Sequence, residues 1–246
     1  MASVGTSPPT SVAGTGSAAD RRETGFFLIM AALLGLTVAT GFGLFLVIGI
    51  SRFNSPWWVH VHAVSFMAFM ALFVSQSYLV YRGRLSHHRA LGRFGAVLCA
   101  WLVLIGLLIP SATVAAQRLP PFFSAAEFLS MSWVNVVIFA GLASAGIIQR
   151  RQTDWHRRLM LCATICVIAP AWGRILVLAG LMTPWHNVLA LLGYVLLAAA
   201  FDLFNRGRIH PAYAWGTVAL LVMGIATPLM AGLPAVVAYS ERLSGG

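Results

Sequence analysis

Apolar runs of membrane length follow one another along this chain, separated by short segments that carry arginine. Nothing else in the sequence narrows the fold as much. About twenty apolar residues span a bilayer as a helix, because lipid offers no partner to an unpaired backbone group. Such runs are expected over about 26–50, 57–81, 91–116, 125–148, 155–181, 184–205 and 211–237. Composition agrees, with 59% hydrophobic residues, only 9% charged residues and a mean hydropathy of +0.85. The expectation is an all-α, polytopic membrane helix bundle with seven transmembrane helices. Residues 1–20, rich in Gly, Ser, Thr, Ala and Pro, read as a disordered tail, and 21–240 as a single transmembrane domain.

Charge placement gives an orientation. The chain has no lysine, so its sixteen basic residues are all arginines, and a retinal Schiff base is excluded. Arg21, Arg22, Arg82, Arg84, Arg89, Arg93, Arg150, Arg151, Arg157, Arg158, Arg206 and Arg208 fall on one side of the predicted topology. Only Arg52, Arg118 and Arg242 fall on the other. That bias predicts a cytoplasmic N-terminus and an outside C-terminus. It also explains the net charge of +10 without nucleic acid; the partner is the lipid bilayer. Arginine-only, Ala- and Gly-rich usage points to a bacterium, hence a multi-pass protein of the inner (plasma) membrane.

The segment from Asp154 to Val177 concentrates the chemistry. Asp154 reads as a capping acid, followed by His156-Arg157-Arg158-Leu159-Met160 and an apolar run that buries Arg174. On one straight helix, His156 and Arg174 lie about five turns apart on the same face. A charge inside a span is a functional candidate. His88-Arg89-Ala90-Leu91 repeats the His-Arg-x-Leu of His156 to Leu159.

The seven histidines sort into two layers. His60, His62 and His186 fall at outer helix ends; His87, His88, His156 and His210 fall at inner ones. Helical phase favours His62, which shares a stripe with Ser65, Phe69 and Gln76. It favours His88 over His87, because His88 shares a face with Gly95, Cys99, Leu102 and Gly106, where small residues admit a close neighbour. Phe94, Leu98 and Trp101, on the His87 face, read as lipid-facing. Neutral imidazole is a common ligand of haem and of metal ions. His88 and His156 are therefore the expected inner metal or haem ligands, with His62 and His186 on the outer side and Arg174 placed to neutralise a haem propionate. The plainer alternative is interfacial anchoring.

Other polar residues read as structural. Ser124 to Glu127 forms a capping box. Asp202 pairs with Arg206 one turn on. Cys99, Cys162 and Cys166 are small packing residues. No HExxH, Ser-His-Asp or multi-histidine di-iron pattern occurs.

The His88-Arg89-Ala90-Leu91-Gly92-Arg93 turn, the His156-to-Met160 start and the downstream Arg174 resemble a family of bacterial multi-pass membrane proteins without an established activity. There, an HR-x-LG motif and an H-x-x-W/L-M motif precede a late intramembrane Arg, and the likeness covers roughly residues 57–180; Leu159 stands where Trp is usual. More distantly, the chain is similar to two-haem transmembrane cytochromes. That likeness implies haem b and electron transfer, with His62, His88 and His156 as three of four ligands. Helix 4 offers Ser130, Ser132 and Trp133 where the fourth is needed, so His186 would have to substitute. Three functions follow as expectations: haem- or metal-binding electron transfer, anion binding or transport through Arg174, and a non-catalytic scaffold or partner subunit.

Overall fold

The computed structural model describes residues 18–51, 53–181 and 183–245, and every regular element among them is helical. The helices are α1 (Ala18–Val47), α2 (Trp57–Tyr81), α3 (Leu85–Ala115), α4 (Ala125–Ile148), α5 (Thr153–Val167), α6 (Ala169–Leu178), α7 (Pro184–Arg206), α8 (Ala212–Ala231) and α9 (Pro234–Leu243). A single 3-10 turn, Gln149–Arg151, joins α4 to α5. Six helices are long and apolar enough to cross a membrane, and the bent pair α5–α6 would make a seventh. The protein is thus an all-α, multi-pass membrane-type bundle. Residues 1–17 of the expected tail, and Arg52, lie outside the described residues, while Ala18 to Asp20 already belong to α1.

The ends follow local chemistry. Ser124 caps α4 by accepting from the Glu127 N–H, and Glu127 accepts from the Ser124 N–H, completing the capping box. Thr183 caps α7 ahead of Pro184, and Gly207 closes it at φ 70°. Helix α2 starts without a side-chain cap bond, with Pro56 at the cap position. Instead His60 Nε2 donates to the Ser55 carbonyl at 3.0 Å. Helix α3 begins at Leu85, earlier than expected, so His87, His88 and Arg89 lie in its first turns.

Two expected spans are broken. The run over 155–181 bends by 41° at Ile168, between α5 and α6. Pro170 has no N–H to give the Cys166 carbonyl, and its ring clashes with a straight helix. Asn135 on α4 supplies the missing donor, its Nδ2 lying 2.8 Å from the Cys166 carbonyl. The straight-helix argument that joined His156 to Arg174 therefore does not hold. The run over 211–237 ends at Gly232, and Pro234 starts α9.

Helix α5 sits at the centre. Its residues from Leu161 to Val167 are all buried, an all-round burial that suits a helix enclosed by others. Large apolar side chains such as Ile29, Leu108, Val137, Leu189 and Leu229 point outward instead, as lipid contact requires. Lipid gives helices no hydrophobic reason to associate, so small residues and polar bonds do the joining. A Cβ on Gly41 would collide with the Ala171 backbone on α6, one on Gly146 with Met160 on α5, and one on Gly216 with Cys162 on α5.

An ion-pair network ties one end together. Arg158, fully buried, holds fully buried Asp202 through two bonds of 2.6 and 2.8 Å, and Glu23 at 2.9 Å. Arg206 binds Asp154 at 2.9 Å and Glu23 at 2.7 Å. Arg157 joins through Glu23 at 2.8 Å and also contacts Asp154. These bonds clamp α1, α5 and α7. They correct two expectations: the bonded partner of Asp202 is Arg158 rather than Arg206, and Asp154 is an ion-pair partner rather than a cap, since Gln152 occupies the cap position.

Candidate functional site

Two histidine clusters lie at opposite ends of the bundle. At the arginine-rich end, α3 carries His88 and α5 carries His156. The 3-10 turn after α4 lets α5 start beside the end of α4, so His156 Nδ1 donates to the Gly146 carbonyl at 2.8 Å. A carbonyl can only accept, so this bond fixes the proton of the neutral ring on Nδ1 and leaves the Nε2 lone pair free. Gly146 eases this approach, because a Cβ there would press on the Met160 thioether of α5.

His88 faces His156. Their ring centres are 6.3 Å apart and their planes cross at 79°. His88 Nδ1 is buried and has no hydrogen-bond partner, while the Gln76 carbonyl of α2 and the Arg89 charge both act on the ring. The neighbouring His87 is exposed and contacts only Ser86, at 3.4 Å. Among the described residues, no group of three or more His, Cys, Asp or Glu side chains is placed to hold a metal ion.

At the far end, His62 stacks near Phe66 at 4.6 Å and lies within electrostatic reach of Arg174. Arg174 Nη1 donates to the Pro170 carbonyl at 2.8 Å, and its guanidinium sits 4.0 Å from the Phe42 ring centre and 5.4 Å from that of Phe45. The break at Ile168 and the close approach of α1 at Gly41 bring α6 against α1, so Arg174 meets α1 instead of extending the face of His156. His186 is occupied locally, its Nδ1 2.8 Å from the Thr183 hydroxyl at the α7 cap. Of the five residues singled out by sequence, the fold thus sets one pair face to face, His88 with His156, and leaves His62 within electrostatic reach of Arg174.

Sequence reasoning missed Asn135 and the role of Trp101. Asn135 was signalled by being a buried amide within an apolar run. Trp101, expected to face lipid, is partly exposed but donates to Ser65 at 2.9 Å, tying α3 to α2, and Leu98 beside it is buried. A shallow cleft of about 290 Å³ at the arginine-rich end is lined by Trp155, Asp202, Arg206 and His210. His210 stacks edge-on against Trp155 at 4.8 Å, and burial, then the Arg158 charge, lowers its pKa below the ordinary 6.5. Set against known proteins, the chain matches no family model, no curated relative and no solved structure.

Proposed function

We propose that this multi-pass membrane protein binds haem b through His88 and His156 and serves in electron transfer. The observation that carries the reading is the facing ring pair. Two imidazoles sharing one metal at ~2.0–2.1 Å per bond would have ring centres roughly 6.4 Å apart. The observed separation is 6.3 Å. The donor set also discriminates. A bare zinc or copper site needs three or four protein ligands. Among the described residues the two imidazoles are joined by no third His, Cys, Asp or Glu side chain placed to share a metal ion, which suits a macrocycle that brings four nitrogens of its own.

The chain's own residues would prepare the site. Gly146 orients His156 by accepting its Nδ1 proton, which is how ligating histidines are commonly held. Arg89, exposed and acting on His88, is the cation available to a propionate. A haem held this way supplies one-electron redox chemistry. The arginine bias supports a cytoplasmic-side position for this pair in an inner membrane, in keeping with the resemblance to bacterial multi-pass proteins and, more distantly, to two-haem cytochromes. A single pair supports one haem here. His62 has Arg174 rather than a second histidine beside it, and His186 is bound to Thr183.

The test is haem retention by single variants purified from cells supplied with haem. His88→Ala and His156→Ala should each lose most of the haem, whereas His87→Ala should keep it. Equal retention in all three would refute the assignment.

A further inference from the structure

The far-end cluster stands apart from the His88–His156 pair, and its polar atoms have one property in common. Arg174 is a partly buried charge at this end, and none of the ion pairs among the described residues includes it. Its Nε is buried without a hydrogen-bond partner. So are Nδ1 of His62 and Nε1 of Trp58, which lies one turn before His62 on the same stripe of α2. Arginine and indole nitrogens can only donate, and the imidazole can donate from Nδ1. Each buried donor left unpaired costs about as much as a lost hydrogen bond. The walls are aromatic. Phe42 and Phe45 of α1 flank the guanidinium, and Phe66 flanks His62. The rings of Phe42 and Phe45 take up part of the charge but can accept little from an N–H. Beyond the Pro170 carbonyl, which accepts from Arg174 Nη1, these three nitrogens have no acceptor, and no carboxylate among the described residues pairs with Arg174.

We infer that Trp58, His62 and Arg174 form a binding site for a phosphate-type oxyanion at the end of the bundle opposite the histidine pair. A phosphate offers several acceptor oxygens and the negative charge that Arg174 lacks, and a planar guanidinium suits it. Two sources share that chemistry: the headgroup of a phospholipid and free inorganic phosphate.

The test uses full-length protein in a maltoside detergent, stripped of lipid, with the melting midpoint read at constant ionic strength. Inorganic phosphate and a short-chain phosphatidylglycerol are titrated separately. At least one should raise the midpoint saturably. A response to phosphatidylglycerol alone identifies a lipid headgroup, and a response to inorganic phosphate identifies a free anion. Arg174→Gln should weaken the response at least about tenfold, as expected for loss of a charge-assisted contact. Arg150→Gln, in the exposed turn after α4, should leave it unchanged. If Arg174→Gln does not fold, His62→Gln and Trp58→Phe carry the same expectation of a weaker response. No response in the wild-type protein, or an equal response in these variants, would overturn the site. Haem retention by His156→Ala is a separate readout, so failure of this inference is distinguishable from failure of the haem reading.

Discussion

At the scale of single residues, the costliest group to disturb is Arg158. It is fully buried and satisfied by Asp202, with Glu23 as a further partner. Removing one partner of a buried pair strands the other charge, which costs about 3–5 kcal/mol, whereas replacing both with apolar groups is often near neutral. Asp202→Ala should therefore lower the melting midpoint in detergent sharply, and Arg158→Met with Asp202→Leu should recover much of the loss. A double variant as unstable as Asp202→Ala would contradict the pairing. His210 gives a pH dependence. Its folded pKa is depressed by burial and by Arg158, so the native state resists a proton that the unfolded chain accepts at the ordinary 6.5. Its contribution is present above 6.5 and declines as pH falls below it, and His210→Gln should flatten that part of the stability–pH curve. Asp154 and Asp202 act on the ring in the opposite sense, and Arg206 acts with Arg158. Phase along α3 was enough to prefer His88 to His87, because each helical residue's direction is set by local geometry. The partner of Asp202 was not legible in the same way. The nearest arginine in sequence is Arg206, but Arg158, 44 residues back, is the bonded one, and nothing local encodes a contact across that distance.

At the scale of elements, Pro170 and Asn135 act together. Pro170 leaves the Cys166 carbonyl without its helical donor, and Asn135 replaces it from α4. Asn135→Leu should destabilise the protein by about 1–3 kcal/mol, the cost of a buried unsatisfied carbonyl. Pro170→Ala restores a backbone N–H, so the double variant should lose less than Asn135→Leu alone. Additive losses would show that the two are uncoupled. Helix existence was plain from hydropathy, since a membrane leaves a long apolar run few alternatives. The bends at Ile168 and at Gly232 were not anticipated, although Pro170 and Pro234 stood in the sequence. Apolar composition reads the same on either side of a break, and only a proline's missing N–H marks it. The early start of α3 was missed for a related reason: His87, His88 and Arg89 look like a polar turn, yet they are a helix's first turns at a membrane edge.

At the scale of the whole molecule, central α5 links the two ends. Its first turns hold the ion-pair network and His156, and its bend into α6 delivers Arg174 to α1. A multi-pass bundle of this kind was legible from composition and run length. Which histidines would meet was only half legible, because pairing depends on how α3 and α5 approach around α4. The facing of His88 and His156 is what the proposed haem site rests on. The most direct measurement is the visible spectrum, oxidised and reduced, of the protein purified from cells supplied with haem. A Soret band that sharpens on reduction, with about one haem per chain, is expected. A colourless protein that retains no haem would contradict it.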